Sequence, residues 1–566
     1  MHNVMKRREF LKNMTLASGA PFLLNGIPVN LMASNSALHL AAATADNDRV
    51  LIILQLHGGN DGLNTLIPID QYSIYYNRRA NIAIPDFGAR KFIALDSTLP
   101  VRDQVGLHPD MVGMKALYDQ GKVSIVQGVA YENTNGSHFR GRDIWFMGGN
   151  YNDYYSSGWV GRYLDQIYPN YPTAYPNSNM PDPLALEIGN EVSLVFHRSN
   201  GIPVSVSIQN PDQFFNLVDE LQGFKDKQGF DPRGIPPTSL NNSPYGQELN
   251  WILGLEDKSA DYATRLKQVF DRGRNSQGIN YPTLYPLNAP RGSLFNPLSS
   301  QLRLVARLLS GGIKTKIFLV RIGGFDTHAQ QVEDYDPTLG RHSALLYHVS
   351  SAMKAFQDDL KNLGLENRVL TITLSEFGRR IDSNASYGSD HGTAAPILMF
   401  GAGVKPGVIG TNADLSRPGG NLPVQFDYRQ IYTAILQDWF GATDDQIRQT
   451  LFGNYLNTKL AVINTNGQVT TNLDDFKEAR FRLNACYPNP ANESTTFSFY
   501  LNTPATVNLG LFDLKGSLVK TIVSNQTFGI GLHEIPVDLS QLVAGTYVYT
   551  IETDNLQDSK KLIIQK

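Results

Sequence analysis

The sequence is poor in three features, and each shortage removes a class of protein. It has one cysteine, Cys486, so it can form neither an internal disulfide nor a zinc site built from cysteines. Its charge is nearly balanced, with 49 Lys and Arg against 52 Asp and Glu, which argues against a nucleic-acid partner. Long apolar runs are also lacking. Because a bilayer span needs ~20 apolar residues, we expect no transmembrane segment in the mature chain.

The first 45 residues are typical of an export signal. A basic run at Lys6–Lys12 precedes a mostly apolar stretch at Met14–Leu31, and small residues at Ala43–Ala45 provide a cleavage site. Glycine and proline interrupt the apolar stretch, which argues against a membrane anchor. Arg7-Arg8 followed by Phe10–Lys12 resembles the twin-arginine export signal, which implies the twin-arginine machinery as a partner.

The C-terminal residues 485–566 are predicted to form a separate all-β module, after a polar linker at 456–484. Short β-rich runs alternate there with turns, and five such runs in so short a stretch predict a small, Ig-like sandwich. The predicted strands are Thr495–Tyr500, Thr506–Phe512, Ser517–Ile522, Gly531–Val537 and Gly545–Glu552.

This module resembles the C-terminal sorting domain of type IX secretion substrates. The resemblance implies transit through the periplasm, the type IX machinery as a partner, and release or retention at the cell surface. The alternative is a generic sandwich that packs on the large domain or binds carbohydrate. The residues that carry the resemblance are Tyr487–Ala491, Leu511–Asp513, Gly516, Gly545–Tyr549 and Lys560–Ile564.

The central region has the pattern of an α/β domain. Continuous apolar runs are typical of strands buried in a parallel sheet, and amphipathic helices at Ser299–Ser310 and Ser343–Leu363 fall between such runs. The pattern predicts a doubly wound, mostly parallel sheet flanked by helices, with a charged helix at 246–274 in an insertion or cap over the sheet. The predicted strands are Arg49–Leu56, Lys122–Val126, Lys316–Ile322, Val369–Leu374 and Pro396–Phe400.

Acidic and histidine residues recur where these strands end. A single Asp in a glycine-rich turn usually bonds to its own backbone. Recurrence favours one shared site, because ligands bind beyond the carboxyl ends of parallel strands, and carboxylate and imidazole groups bind divalent metals such as zinc, manganese or calcium. The candidate metal ligands are Asp61, Asp326, His328, Glu376, Asp390 and His391.

Ser137 is the candidate nucleophile. It follows an Asn-Gly turn and precedes a predicted helix, whose N-terminus provides free N–H groups and a partial positive field. Arg140 and Arg142 follow it and could hold anionic oxygens. Taken alone, Ser137 is better explained as a helix cap.

Two family resemblances bear on this region. The motifs His57–Gly62, Ser137–Phe139, Gly323–His328, Ser375–Arg379 and Asp390–Gly392 are similar to the exported bacterial family called domain of unknown function 1501, over 48–455. More distantly, the layout resembles the alkaline phosphatase and sulfatase superfamily. That resemblance implies an alkaline-phosphatase-like fold in which these acidic and histidine residues hold metal and Ser137 attacks.

The function that this layout implies is hydrolysis of phosphate or sulfate esters with a divalent metal. Arg140 or Arg379 would then hold the substrate anion, and the substrate would be a small or polymeric anionic ester. The sequence differs from the superfamily pattern, because Asp-x-His and Glu-Phe replace Asp-x-x-x-His and Asp-His. The competing hypothesis is a non-catalytic surface protein that keeps the fold in order to bind a polymer or partner.

Overall fold

The computed structural model describes residues 47–189, 192–208, 262–416, 420–464 and, with short gaps, 481–565, as well as the paired strands Leu23–Leu24 and Ile27–Pro28. The chain divides into two compact units, of which one is Asp48–Val469 and the other contains Thr470–Lys566. Most of the expected export signal, the linker residues 465–480 and the first part of the expected helix at 246–274 lie outside the described residues. Within the described parts of the chain, no helix is both long and apolar enough to cross a membrane.

A nine-stranded sheet forms the centre of the large unit. Its order is β8-β2-β7-β6-β1-β5-β3-β4, with β9 beside β2. Only β7 runs antiparallel to its neighbours among the described strands of this sheet, which confirms the expected mostly parallel arrangement. The strands are β1 Val50–Gly59, β2 Val123–Ala130, β3 Ala185–Ile188, β4 Ser205–Ile208, β5 Ile317–Ile322, β6 Val369–Phe377, β7 Ala395–Phe400, β8 Gly407–Ile409 and β9 Phe426–Asp427.

Strand β1 shows why the apolar runs form a sheet that is covered on both faces. Successive side chains of a strand point to opposite faces. Ile52 and Leu54 enter one hydrophobic core, whereas Leu51 and Ile53 enter another. Burial of each such side chain stabilises the fold by ~1.5–3 kcal/mol, so the run is stable only between two layers of helices.

The helices of the large unit cover both faces of this sheet. Asn296 caps α6 through its side chain, and Gly364 follows the end of α7 with a positive φ of 71°. Both helices fall where the sequence predicts them, and residues 262–272 are helical too. The helices are α1 Gly62–Thr65, α2 Tyr72–Arg78, α3 Val112–Asp119, α4 His138–Met147, α5 Trp159–Ile167, α6 Pro297–Ser310, α7 Arg341–Asn362, α8 Tyr428–Ala434 and α9 Asp444–Gln449.

The C-terminal unit is a two-sheet antiparallel sandwich, as predicted. One sheet has the order β10-β11-β14 and the other β13-β12-β15-β16. Phe497, Phe499 and Tyr549 are among the side chains buried between them, and so is the lone Cys486. The strands are β10 Phe481–Leu483, β11 Ser494–Leu501, β12 Ala505–Phe512, β13 Leu518–Phe528, β14 Gly531–Asp538, β15 Gly545–Thr553 and β16 Leu556–Ile564.

Candidate metal centre

Seven titratable side chains of the large unit lie at one edge of the main sheet. The carboxyl ends of β1, β2, β5 and β6 lie there, and the antiparallel β7 begins at the same edge. A short hairpin of Arg379–Ser383 and Ser389–His391 connects β6 to β7. Because every segment that leaves this edge carries a titratable side chain, side chains distant in sequence become neighbours. Those side chains are His57, His138, Asp326, His328, Glu376, Asp390 and His391.

Three imidazoles surround the Asp326 carboxylate. Nε2 of His138 lies 3.2 Å from Oδ2, and Nε2 of His391 lies 3.2 Å from Oδ1. Nε2 of His328 lies 3.3 Å from Oδ1 and 2.7 Å from Nε2 of His391. One ligand atom from each of His138, Asp326 and His391 fits within 4.8 Å of the others, a spacing suited to a single metal ion.

The other ring nitrogen of each imidazole is held by a partner behind it. Nδ1 of His138 lies 2.6 Å from Oε2 of Glu376, and Nδ1 of His391 lies 2.7 Å from the Gly136 carbonyl. Nδ1 of His328 lies 3.5 Å from Oδ1 of Asp390. Metal-binding histidines are usually oriented in this way by an acceptor at the second nitrogen. The residues present therefore fit a divalent metal.

Glu376 lies behind the imidazoles, with only 1% of its side chain exposed. Its Oε2 contacts His138, but Oε1 has no hydrogen-bond partner among the residues that the structure describes. Nε2 of His57 lies 3.6 Å from Oε1, and 53% of the His57 side chain is exposed. Glu376 thus stands between one histidine of the cluster and one at its rim.

Arg379 is a buried side chain that fixes the backbone and the carboxylate of the cluster. Its side chain is fully buried and donates to the carbonyls of Gly59, Ser389 and Phe325 and to Oδ1 of Asp326 at 2.6 Å. Since its donors serve the protein's own oxygens, Arg379 fixes Asp326 and three backbone segments, and its role as a clamp on the substrate stays a prediction.

These contacts also set the charges of the cluster. Burial would raise the pKa of the Asp326 carboxyl, but hydrogen bonds from Arg379 and His391 outweigh it and lower the pKa to about 2. Burial lowers the pKa of the His391 imidazole below its usual value, against the opposing effect of its hydrogen bond to Asp326. At neutral pH the cluster therefore offers an ionised carboxylate and a neutral imidazole, the forms that bind metal.

A glycine allows the first strand to approach the Asp326 loop. Gly58 has a φ of 114°, and a Cβ there would lie 2.5 Å from the Asp326 backbone nitrogen. The neighbouring His57 carbonyl accepts a hydrogen bond from Phe325 N at 3.2 Å. Any side chain at position 58 would push these two segments apart.

Asp61, which the sequence predicts as a metal ligand, does not join the cluster in the described structure. Its side chain is fully buried, and Oδ2 is ion-paired with Arg79 and accepts from Gln331 at 2.5 Å. Oδ1 accepts from the backbone nitrogens of Leu63 and Asn64 as the N-cap of α1. Both oxygens are thus occupied within the fold.

Ser137 and Arg140 occupy two different positions near α4. Ser137 is exposed and is the N-cap residue of α4, although its side chain makes no capping hydrogen bond within the described part of the chain. Arg140 stacks on the ring of Tyr154 at 3.9 Å and donates to the carbonyls of Tyr151 and Asp153. The Arg140 guanidinium is therefore held by the 151–154 loop, and its role as an anion clamp stays a prediction.

Two residues of the site were missed in the sequence. His138 and His57 stand inside the quoted motifs, but each is a lone histidine beside a more conspicuous neighbour, Ser137 in one case and the glycine-rich turn in the other. The available signal was position: His138 follows β2 and His57 lies near the end of β1, at the same edge as the candidate metal ligands.

Comparison with known families identifies two parts of the chain. Residues 242–449 match a family described as "Protein of unknown function (DUF1501)", a narrower span than the expected resemblance. Residues 485–565 match the "Secretion system C-terminal sorting domain". The two matches confirm the resemblances to domain of unknown function 1501 and to the type IX sorting domain. The sorting domain shows that the protein is exported to the cell surface or the medium.

Comparison with curated proteins finds no match. Among solved structures, the chain is similar to an alkaline phosphatase superfamily protein of Vibrio parahaemolyticus, with 12% identity, coverage of 90% of this chain and 86% of that one, and a TM-score of 0.32. The chain is also similar to a Pseudoalteromonas sulfatase, PsFucS1, with 11% identity, coverage of 89% of this chain and 86% of that one, and a TM-score of 0.31. For dimeric latent PorU of Porphyromonas gingivalis, the identity is 25% over 15% of this chain and 9% of that one, with a TM-score of 0.13. This chain therefore spans about a tenth of the length of PorU.

Proposed function

We propose that the large unit is a metal-dependent hydrolase of phosphate or sulfate esters. The observation that carries the proposal is the convergence of three imidazole Nε2 atoms on one carboxylate. The separations of 3.2, 3.2 and 3.3 Å match the ~3.3 Å between two ligands that each lie ~2.0–2.1 Å from a tetrahedral zinc ion. The class of ester follows from the sequence resemblance described above.

Each residue then has a definite task. His138, Asp326 and His391 would hold the ion, with His328 hydrogen-bonded beside them, while Glu376 and Asp390 orient imidazoles from behind. The bound metal would neutralise developing charge and lower the pKa of the attacking hydroxyl. Ser137 would supply that hydroxyl, because it is exposed and directly precedes the ligand His138.

Elemental analysis and a substrate panel test the proposal. Protein recovered from its natural export route should contain a divalent metal, and it should hydrolyse members of a panel of aryl phosphates and aryl sulfates. Removal of the metal by a chelator should abolish turnover, and its return should restore it. Metal-free protein that gains no turnover with zinc, manganese or calcium would disprove the proposal.

Ser137→Ala tests the nucleophile. We expect turnover to fall by two or more orders of magnitude while the melting temperature stays unchanged, because Ser137 makes no capping bond that could be lost. Asn296→Ala is the matched control, since the Asn296 side chain does cap α6, and it should cost ~1 kcal/mol with full turnover. Full activity in Ser137→Ala would leave a water as the attacking group.

A further inference from the structure

We infer that His57 accepts the proton of the attacking hydroxyl and that Glu376 orients it together with the metal ligand His138. The inference rests on the proposed function. It starts from Oε1 of Glu376, because a buried acceptor without a partner is destabilising and calls for an explanation. Nε2 of His57 lies 3.6 Å away, just beyond hydrogen-bond length, and such contacts often tighten when substrate binds.

The contacts with Glu376 bear on the protons of both histidines. A carboxylate oxygen only accepts, so an imidazole that bonds to Glu376 must be the donor. His138 donates from Nδ1, which leaves Nε2 free on the side of Asp326. His57 would donate from Nε2 once its 3.6 Å contact shortens, which would leave Nδ1 as an unprotonated acceptor. One buried carboxylate would thus set opposite tautomers in two histidines, one for binding metal and one for accepting a proton.

Exposure separates the two roles. The His57 side chain is half exposed at the end of β1, whereas Glu376 is almost fully buried. His57 can therefore reach a bound ester, and Glu376 acts only through its two imidazole neighbours. The His57 backbone is held in place, because its carbonyl accepts from Phe325 N next to the Asp326 loop.

Water is the only further reactant that the proton transfer needs. The O–H bond of the attacking group, Ser137 or a water, breaks as its oxygen bonds to phosphorus or sulfur, and the proton passes to Nδ1 of His57. The bond from phosphorus or sulfur to the ester oxygen breaks on the opposite side of the transferred group, so the leaving oxygen takes a proton from solvent and His57 gives its proton back to solvent. Where Ser137 attacks, a water then cleaves the serine ester, its proton passes to Nδ1 of His57, and the Ser137 oxygen takes a proton from solvent. Proton transfer of this kind contributes about 10²–10⁴-fold in rate.

Paired measurements on the zinc-loaded full chain test the inference. His57→Gln should bind zinc within twofold of the wild-type affinity but lose about 10²–10⁴-fold in turnover. Glu376→Gln should lose turnover and also bind zinc about 10–100-fold more weakly, because an amide cannot accept from both imidazoles. The double variant should turn over no more slowly than Glu376→Gln. His533→Gln, in the C-terminal sandwich, is the control and should match wild type in both measurements.

Chemical rescue separates a catalytic role from a structural one. Free imidazole should restore part of the turnover of His57→Ala, since the exposed position leaves room for it. A tenfold loss of zinc affinity in His57→Gln would make His57 a ligand instead, and wild-type turnover in that variant would exclude the proton transfer. Unchanged zinc affinity in Glu376→Gln would overturn its positioning role. If the wild type hydrolyses no ester, the proposed function and the base role fail together, and zinc affinity still decides the role of Glu376.

Discussion

Asp61 and Asp326 follow neighbouring parallel strands in similar glycine-rich turns, yet the fold uses them differently. Asp61 is fully buried, and both of its oxygens are occupied by Arg79, Gln331 and the first turn of α1. Asp326 is 43% exposed, and its carboxylate faces three imidazoles as well as Arg379. A carboxylate at the end of a strand therefore becomes available for a ligand only when the protein leaves one of its oxygens facing outward.

The largest effect should come from removing the buried charge at Asp61. Asp61→Asn would leave the Arg79 guanidinium buried without its counter-charge, which typically costs 3–5 kcal/mol, yet it should leave the zinc affinity of the folded protein unchanged. Urea unfolding followed by tryptophan fluorescence measures this, because all four tryptophans lie within the large unit. Asp382→Asn, which breaks the half-exposed pair with Arg78, is the control and should cost below ~1 kcal/mol. Weaker zinc binding by Asp61→Asn would contradict the distinction between a structural Asp61 and a metal-binding Asp326.

The second effect is a pH dependence near Asp61. Burial lowers the pKa of the His342 imidazole to about 4, although Asp61 opposes the shift. Because the unfolded state takes up this proton first, stability should fall as pH drops below ~6.5 and level off near 4, by on the order of 3 kcal/mol. His342→Gln should remove this part of the slope in urea unfolding between pH 7 and 4. The rest should persist, because burial also lowers the pKa of His108. An identical slope in the variant would contradict the assignment.

The third effect concerns Asp326 itself. Asp326→Asn should weaken zinc binding by about 100-fold or more, or ~2.7 kcal/mol, because it removes the only carboxylate at the centre of the three imidazoles in the described structure. A chelator-competition titration measures the change, with Asp61→Asn as its matched counterpart. Equal zinc affinities in the two variants would show that Asp326 is not a metal ligand.

The smallest effect should come from Asp390. It is half exposed and lies 3.5 Å from Nδ1 of His328, so it orients that imidazole only weakly. Asp390→Asn should reduce zinc affinity by about tenfold or less, or up to ~1.4 kcal/mol, in the same titration. A 100-fold loss would instead place Asp390 in direct contact with the metal.

Much of the fold could be predicted because burial leaves periodic marks in the sequence. The apolar runs of β1, β5 and β6 and the amphipathic faces of α6 and α7 all occur where they were expected, within a few residues. Five of the seven strands described in the sandwich were predicted as well, because their alternation reflects one buried face, whereas β10 and β16 were not. The hairpin that carries Asp390 and His391 was not predicted, because its short strands are mostly polar.

The site was only partly predictable, because partners distant in sequence decide it. The sequence around Asp61 does not indicate that Arg79 is buried beside it. The sequence around Asp326 likewise does not indicate that Arg379 binds this carboxylate. Glu376 was expected as a ligand, whereas the structure places it behind His138. The positions of the strands along the chain indicate the edge of the sheet where the site lies. They do not indicate which side chain contacts which.

The contact between His391 and Gly136 joins residues that are 255 positions apart. A metal that binds this cluster therefore recognises the finished sheet, and an incomplete or unfolded chain offers only scattered single ligands. Binding to the native state alone would draw the folding equilibrium toward that state by mass action. The compartment in which the chain completes its fold would then also determine which pool of ions it can sample.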